Sequence, residues 1–146
     1  MTATKKRNPR MTKEDLKALQ GSIKHWEANI KAISPGSVSM AAASCDLCVL
    51  HVRATGSCNE CPVVTRGGGV HGCFNTPYSK LDISERFATW RYAALFSQKD
   101  ETAIIEREYA RLQAKRIVML RESFREAARK ELAFLKSLLP RGHSND

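Results

Sequence analysis

The chain has 146 residues, of which 42% are hydrophobic and 27% charged, a composition that suits one domain with a modest core. Its net charge of +9 favours encounters with polyanions or acidic protein surfaces without choosing between them. No apolar run approaches the ~20 residues a bilayer span needs, and the basic opening "MTATKKRNPR" leads into "MTKEDLK" instead of an apolar stretch, against a secretory signal or any membrane role.

Residues 1–11, with Lys5, Lys6, Arg7 and Arg10 and almost nothing apolar, are predicted to form a disordered basic arm. Such an arm is either a solvated tail or a nucleic-acid contact, and Met11 offers a second candidate start. Residues 12–140 read as a single helical domain. Thr12 and Asp15 make a near capping box, with Asp where Glu or Gln is usual. Leu16, Leu19, Ile23, Trp26, Ile30 and Ile33 then recur at spacings of three and four, one seam on one helical face. Ser34-Pro35-Gly36 stops that helix. The seam is too short for a free coiled coil, so it packs on the rest of the chain or on a second copy as a homodimer.

All five cysteines fall between Cys45 and Cys73. In a cytoplasmic, reducing setting, clustered thiols bind metal more often than they pair, and an odd number cannot pair completely within one chain. Cys45 and Cys48 form one C-x2-C hook and Cys58 and Cys61 a second, with Cys73 following. Two hooks supply the four thiolates of a tetrahedral structural Zn2+ site. With few large apolar residues, the segment is expected to be a loop organised by the ion, which contributes on the order of 10 kcal/mol. Cys73 is then spare, or replaces a hook member such as Cys58. His51 and His71 are further candidate ligands. An iron–sulfur cluster is the alternative cofactor, and "CPV" echoes the Cys-Pro of ferredoxins, but their C-x2-C-x2-C run is missing. The glycines of "RGGGVHGC" suggest a flexible turn; no Lys-Ser/Thr follows to make a P-loop. Cys73 and His71 could in principle pair as nucleophile and base, yet no third orienting group is evident, and no catalytic residue is assigned.

Thr76-Pro77 reads as an N-cap with proline at the first helical position. Ile83, Phe87, Trp90 and Ala94 trace the apolar face of the helix that follows, with Tyr92, Leu95 and Phe96 broadening it. A tight turn is expected near "SQKDET", or, since that stretch lacks Gly and Pro, a continuous helix. The last helix, about Glu101 to Leu139, carries Ile117, Leu120, Phe124, Ala128, Leu132, Leu135 and Leu139 on one face and is ended by Pro140 and Gly142. Arg121, Arg125 and Arg129 form one basic stripe on it, and Arg107, Arg111 and Lys115 a second. These stripes are either salt-bridged and solvated or face a polyanion. Residues 141–146 read as a frayed tail.

The fold class is therefore all-α: three long helices, as an antiparallel bundle or hairpin, with a zinc-binding cysteine-rich loop inserted at 45–73. The order of a Trp-containing amphipathic helix, "CDLC", "CNECPV", a glycine-rich turn, a further Cys and "TPY" resembles a group of small cysteine-rich proteins of bacteriophages and prophages. Cys45, Cys48, Cys58, Cys61, Cys73, Thr76, Pro77 and Tyr78 carry the resemblance, which spans roughly residues 16–139; the basic arm has no counterpart. It implies a phage-type protein of the bacterial host cytoplasm and implies no activity. The expected function is non-enzymatic binding of a host macromolecule, a protein ahead of nucleic acid. A small nuclease or thiol-dependent enzyme is the reading from another class.

Overall fold

A computed structural model describes residues 11–41, 45–70, 72–96 and 104–142. Lys5, Lys6, Arg7 and Arg10 of the basic arm, the "SQKDET" turn, His71 and the last four residues lie outside the described residues. The described chain is all-α, in the order α1 (Lys13–Lys31), a 3-10 turn (Pro35–Ser37), α2 (Asp46–Thr55), α3 (Pro62–Thr65), α4 (Pro77–Lys80), α5 (Ile83–Phe96) and α6 (Ile104–Ser137). Among the described residues there is no strand, only an isolated bridge between Val70 and Phe74.

Helix α1 starts as its sequence requires, with the Thr12 hydroxyl accepting the Asp15 N–H at 3.0 Å. The reciprocal half of the capping box is missing. Asp15 is one methylene shorter than Glu, and its carboxylate instead accepts a hydrogen bond from His51 Nε2 at 2.7 Å. Leu19, Ile23 and Trp26 of the expected seam are buried, with Leu16 and Ile30 half-buried beside them. Ile33 departs from it: the helix ends at Lys31, and Ile33 stands 79% exposed. Buried Asn29 ties the following segment back, exchanging hydrogen bonds with the Ser39 N–H and carbonyl, each at 3.1 Å.

The cysteine segment is not the loop that its composition suggested. It contains α2 and α3, and Leu47 and Val63 join the main core at 2% and 3% exposure, so apolar burial contributes to its shape. Gly21 leaves room for the Asp46 side chain at the start of α2: a Cβ there would collide with the Asp46 carboxyl group as placed. The "RGGG" turn is likewise packed, not loose. Gly69 is buried, and a side chain on it would strike the Gly72 and Val63 carbonyls.

Thr76 and Pro77 stand at the N-cap and first position of α4, but the Thr76 hydroxyl donates to the Cys73 carbonyl and caps no helix amide, and α4 lasts a single turn. Asp82, at φ +48°, breaks it before α5 begins. Ile83 and Trp90 are fully enclosed, and Trp90 stacks on Phe124 of α6 with centroids 5.6 Å apart, Phe87 packing against both. Tyr92 and Leu95 do not broaden this face; at 65% and 60% exposure they lie on the solvent side. The 34 residues of α6 extend about 51 Å. Phe124, Ala128 and Leu135 are buried as the seam predicted, Ile117, Leu120, Leu132 and Leu139 half-buried, while residues 108–116 are mostly exposed.

Candidate functional site

Each cysteine is placed by a local device. Cys45 occupies the N-cap of α2 and Cys48 lies in its first turn, so both hook residues share one end of that helix. The second hook is closed by the Cys61 N–H donating to the Cys58 carbonyl at 3.0 Å, with Cys61 as the N-cap of α3 and Pro62 following. Cys73 sits in a turn held by the Val70 N–H on the Phe74 carbonyl at 2.9 Å and by the Thr76 hydroxyl on the Cys73 carbonyl at 2.6 Å. Gly72 adopts φ +92°, and a Cβ on it would press within 3.2 Å of Cys58 Sγ, so this turn lies directly against the second hook.

These devices bring all five thiols to the wall of one cavity of about 240 Å³, completed by residues of α1, α4 and α6. All five are free thiols. As they stand, no three His, Cys, Asp or Glu side chains among the described residues converge closely enough to hold a metal ion. The cavity therefore gathers donors without presenting a closed coordination shell.

The first hook is electrostatically uneven. The Cys48 thiol, donating toward Cys45, holds Cys45 well below the usual thiol range, against the opposing effect of burial and with help from the Ser22 hydroxyl and the first amides of α2. Ser22 Oγ lies 3.5 Å from Cys45 Sγ and also accepts the Leu47 N–H at 3.4 Å. Cys48 is pushed up in turn, first by that hydrogen bond with Cys45 and then by burial. Burial raises Cys61 to about 11 and Cys73 to about 12.

Two acidic groups complete the picture. Buried His51, also on the cavity wall, donates Nε2–H to Asp15 at 2.7 Å, which fixes the ring. A carboxylate-oriented histidine is the common outer-shell arrangement of metal-binding imidazoles. Glu131 of α6 also lines the cavity and is only 3% exposed; burial raises its carboxyl to about 7. Sequence reading passed over Glu131, Asp15 and Ser22. The available signal for Glu131 was its spacing, three residues after Ala128 and four before Leu135, which puts an acid on the apolar face of α6.

The first arginine stripe is engaged within the protein. Arg125 donates to Glu122 and to the Ala32 carbonyl, both at 2.8 Å, so it ties α6 to the end of α1. Arg121 Nε and Arg129 Nη2 approach the same Glu122 at 3.7 and 3.9 Å. Arg111 and Lys115 of the second stripe are exposed, and the Arg107 side chain is outside the described residues. No helix among the described residues is long and apolar enough to cross a membrane.

The fold and site define a class, an all-α protein with a five-thiol cavity between its first, second and last helices. Comparison of the chain with protein-family models, curated proteins and solved structures returns no match.

Proposed function

We propose that this chain is a non-enzymatic, zinc-stabilised binding protein that docks on another macromolecule, a protein of the bacterial host in keeping with the phage-type resemblance. The observation that carries the reading is the gathering of all five thiols, from three separate segments, onto one cavity wall. Cys45, Cys48, Cys58 and Cys61, or Cys73 in place of one of them, hold the ion, and the hooks draw inward on binding. Zinc supplies no chemistry to a substrate here; it locks α2, α3 and the Cys73 turn onto α1 and α6. That turn carries Phe74 and Val70, exposed at 68% and 46%, and these form the docking tip. Protein binding is favoured over nucleic acid because Arg125, at the centre of the Arg121, Arg125 and Arg129 stripe, is held within the protein by Glu122 and the Ala32 carbonyl.

Purified reduced protein should carry one zinc per chain and be colourless; a brown sample would move the assignment to an iron–sulfur cluster. Immobilised protein should capture a discrete partner from nuclease-treated bacterial lysate, and Phe74→Ser should lose it while retaining zinc. Capture that disappears on nuclease treatment or falls steeply with salt would transfer the function to nucleic-acid binding.

A further inference from the structure

The wall of the thiol cavity combines an excess of electron-pair donors with a shortage of cations. In a chain with 24 Lys and Arg, none of the described residues lining this cavity is either one. Facing it are five cysteines, His25, His51 and Glu131. His25 is engaged elsewhere, its Nε2 lying 2.8 Å from the Ser39 carbonyl. Glu131 is the anomaly. The backbone N–H of Tyr78 favours its charged form, but Oε2 is fully enclosed and has no hydrogen-bond partner. Buried carboxylates without a partner are disfavoured unless something positive completes them. Moreover, this carboxylate shares the cavity with Cys45 and Cys73, whose thiolates would repel it. The two imidazoles that could supply positive charge on this wall are both engaged, His25 with the Ser39 carbonyl and His51 with Asp15, so neither compensates Glu131.

We propose that Glu131 is an oxygen ligand of a thiolate-preferring divalent cation bound in this cavity, so that α6 closes the site opposite the cysteine hooks. This rests on the metal reading above and deepens it by adding a donor that no C-x2-C pattern contains. Geometry assigns the roles. Phe124, Ala127, Ala128 and Leu135 anchor α6 in the core around Glu131, so the carboxylate is the rigidly held donor. The hooks and the Cys73 turn are the parts that close onto it. Carboxylate oxygen is an ordinary zinc ligand beside sulfur and nitrogen. In a four-coordinate shell Glu131 takes the place of one thiolate of the four-thiolate set given above, leaving three thiolates and one carboxylate.

The test uses the full-length reduced protein with Zn2+ in competition with a chelator, Co2+ as an optical probe and Cd2+ as an NMR probe. Glu131→Gln should weaken Zn2+ by about tenfold or more and shift the Co2+ visible bands; Glu131→Asp, which keeps the oxygen donor, should fall between it and wild type. The Cd2+ shift of the wild type should report a mixed sulfur–oxygen shell, a readout that needs no variant to fold. Wild-type affinity and an unchanged Co2+ spectrum in Glu131→Gln, or an all-sulfur Cd2+ shift in the wild type, would overturn the assignment while leaving the metal site standing. A wild type that binds none of the three ions overturns both.

Discussion

The two ends of this molecule solve the packing problem differently. Where α5 meets α6, three aromatic rings interlock, with Trp90 at 1% and Phe124 at 0% exposure, and Arg86 adds a polar tie to the Ser123 carbonyl at 3.0 Å. Where α2 and α3 meet α1, the interior is a cavity walled by thiols, an imidazole and a carboxylate. Leu47 and Val63 contribute there, but the remaining volume is not filled by side chains. The first end is specified by shape and apolar area; the second leaves its final closeness to whatever occupies it.

That contrast can be broken most directly by removing metal. Thorough chelation under reducing conditions should loosen residues 45–76 by several kcal/mol, out of the ~10 a structural zinc can supply, while hydrogen exchange in α5 and the second half of α6 stays slow. Uniform protection across both ends would break the contrast. Next in size, Trp90→Ala should cost about 3–5 kcal/mol in urea unfolding, by the same amount with or without chelator, because its contacts are all at the aromatic end.

A smaller effect follows from Glu131 in metal-free protein. Its folded carboxyl titrates at about 7 against 4.5 for the ordinary group, so between those values the unfolded chain has released a proton that the folded chain keeps. Stability therefore falls as pH rises through that window, with no cost below it and the full cost above it, on the order of 3 kcal/mol. Subtracting the pH profile of Glu131→Gln from wild type should isolate this slope, and a flat difference would remove the buried charge from the account. Smallest is Gly21→Ala, at about 1–3 kcal/mol, read as faster zinc loss to a chelator as α2 is pushed from α1. A variant with wild-type zinc retention would show that this contact does not hold the first hook in place.

Much of the helical frame was legible in the sequence. The seams on α1 and α6 follow a helical period, and Thr12 and Pro77 mark helix starts through local chemistry. The failures share a cause. Ile33, Tyr92 and Leu95 are apolar but lie beyond a helix end or on its outer side, and spacing alone does not say which neighbours exist. The cysteine segment was read as a loop because α2 and α3 are short and draw their stability from α1, through the space that Gly21 leaves.

The sequence by itself determined the helical periods, the capping signals and the concentration of thiols in one stretch, because these depend on residues close together along the chain. Only the tertiary structure decided that Arg125 ties α6 to α1, that Asp15 orients His51, and that Glu131 faces the cysteines. Those partners are 93, 36 and at least 58 residues apart. Charge and hydrogen bonding act across a few ångströms of space, and a distance of that kind has no expression in sequence until the chain has folded.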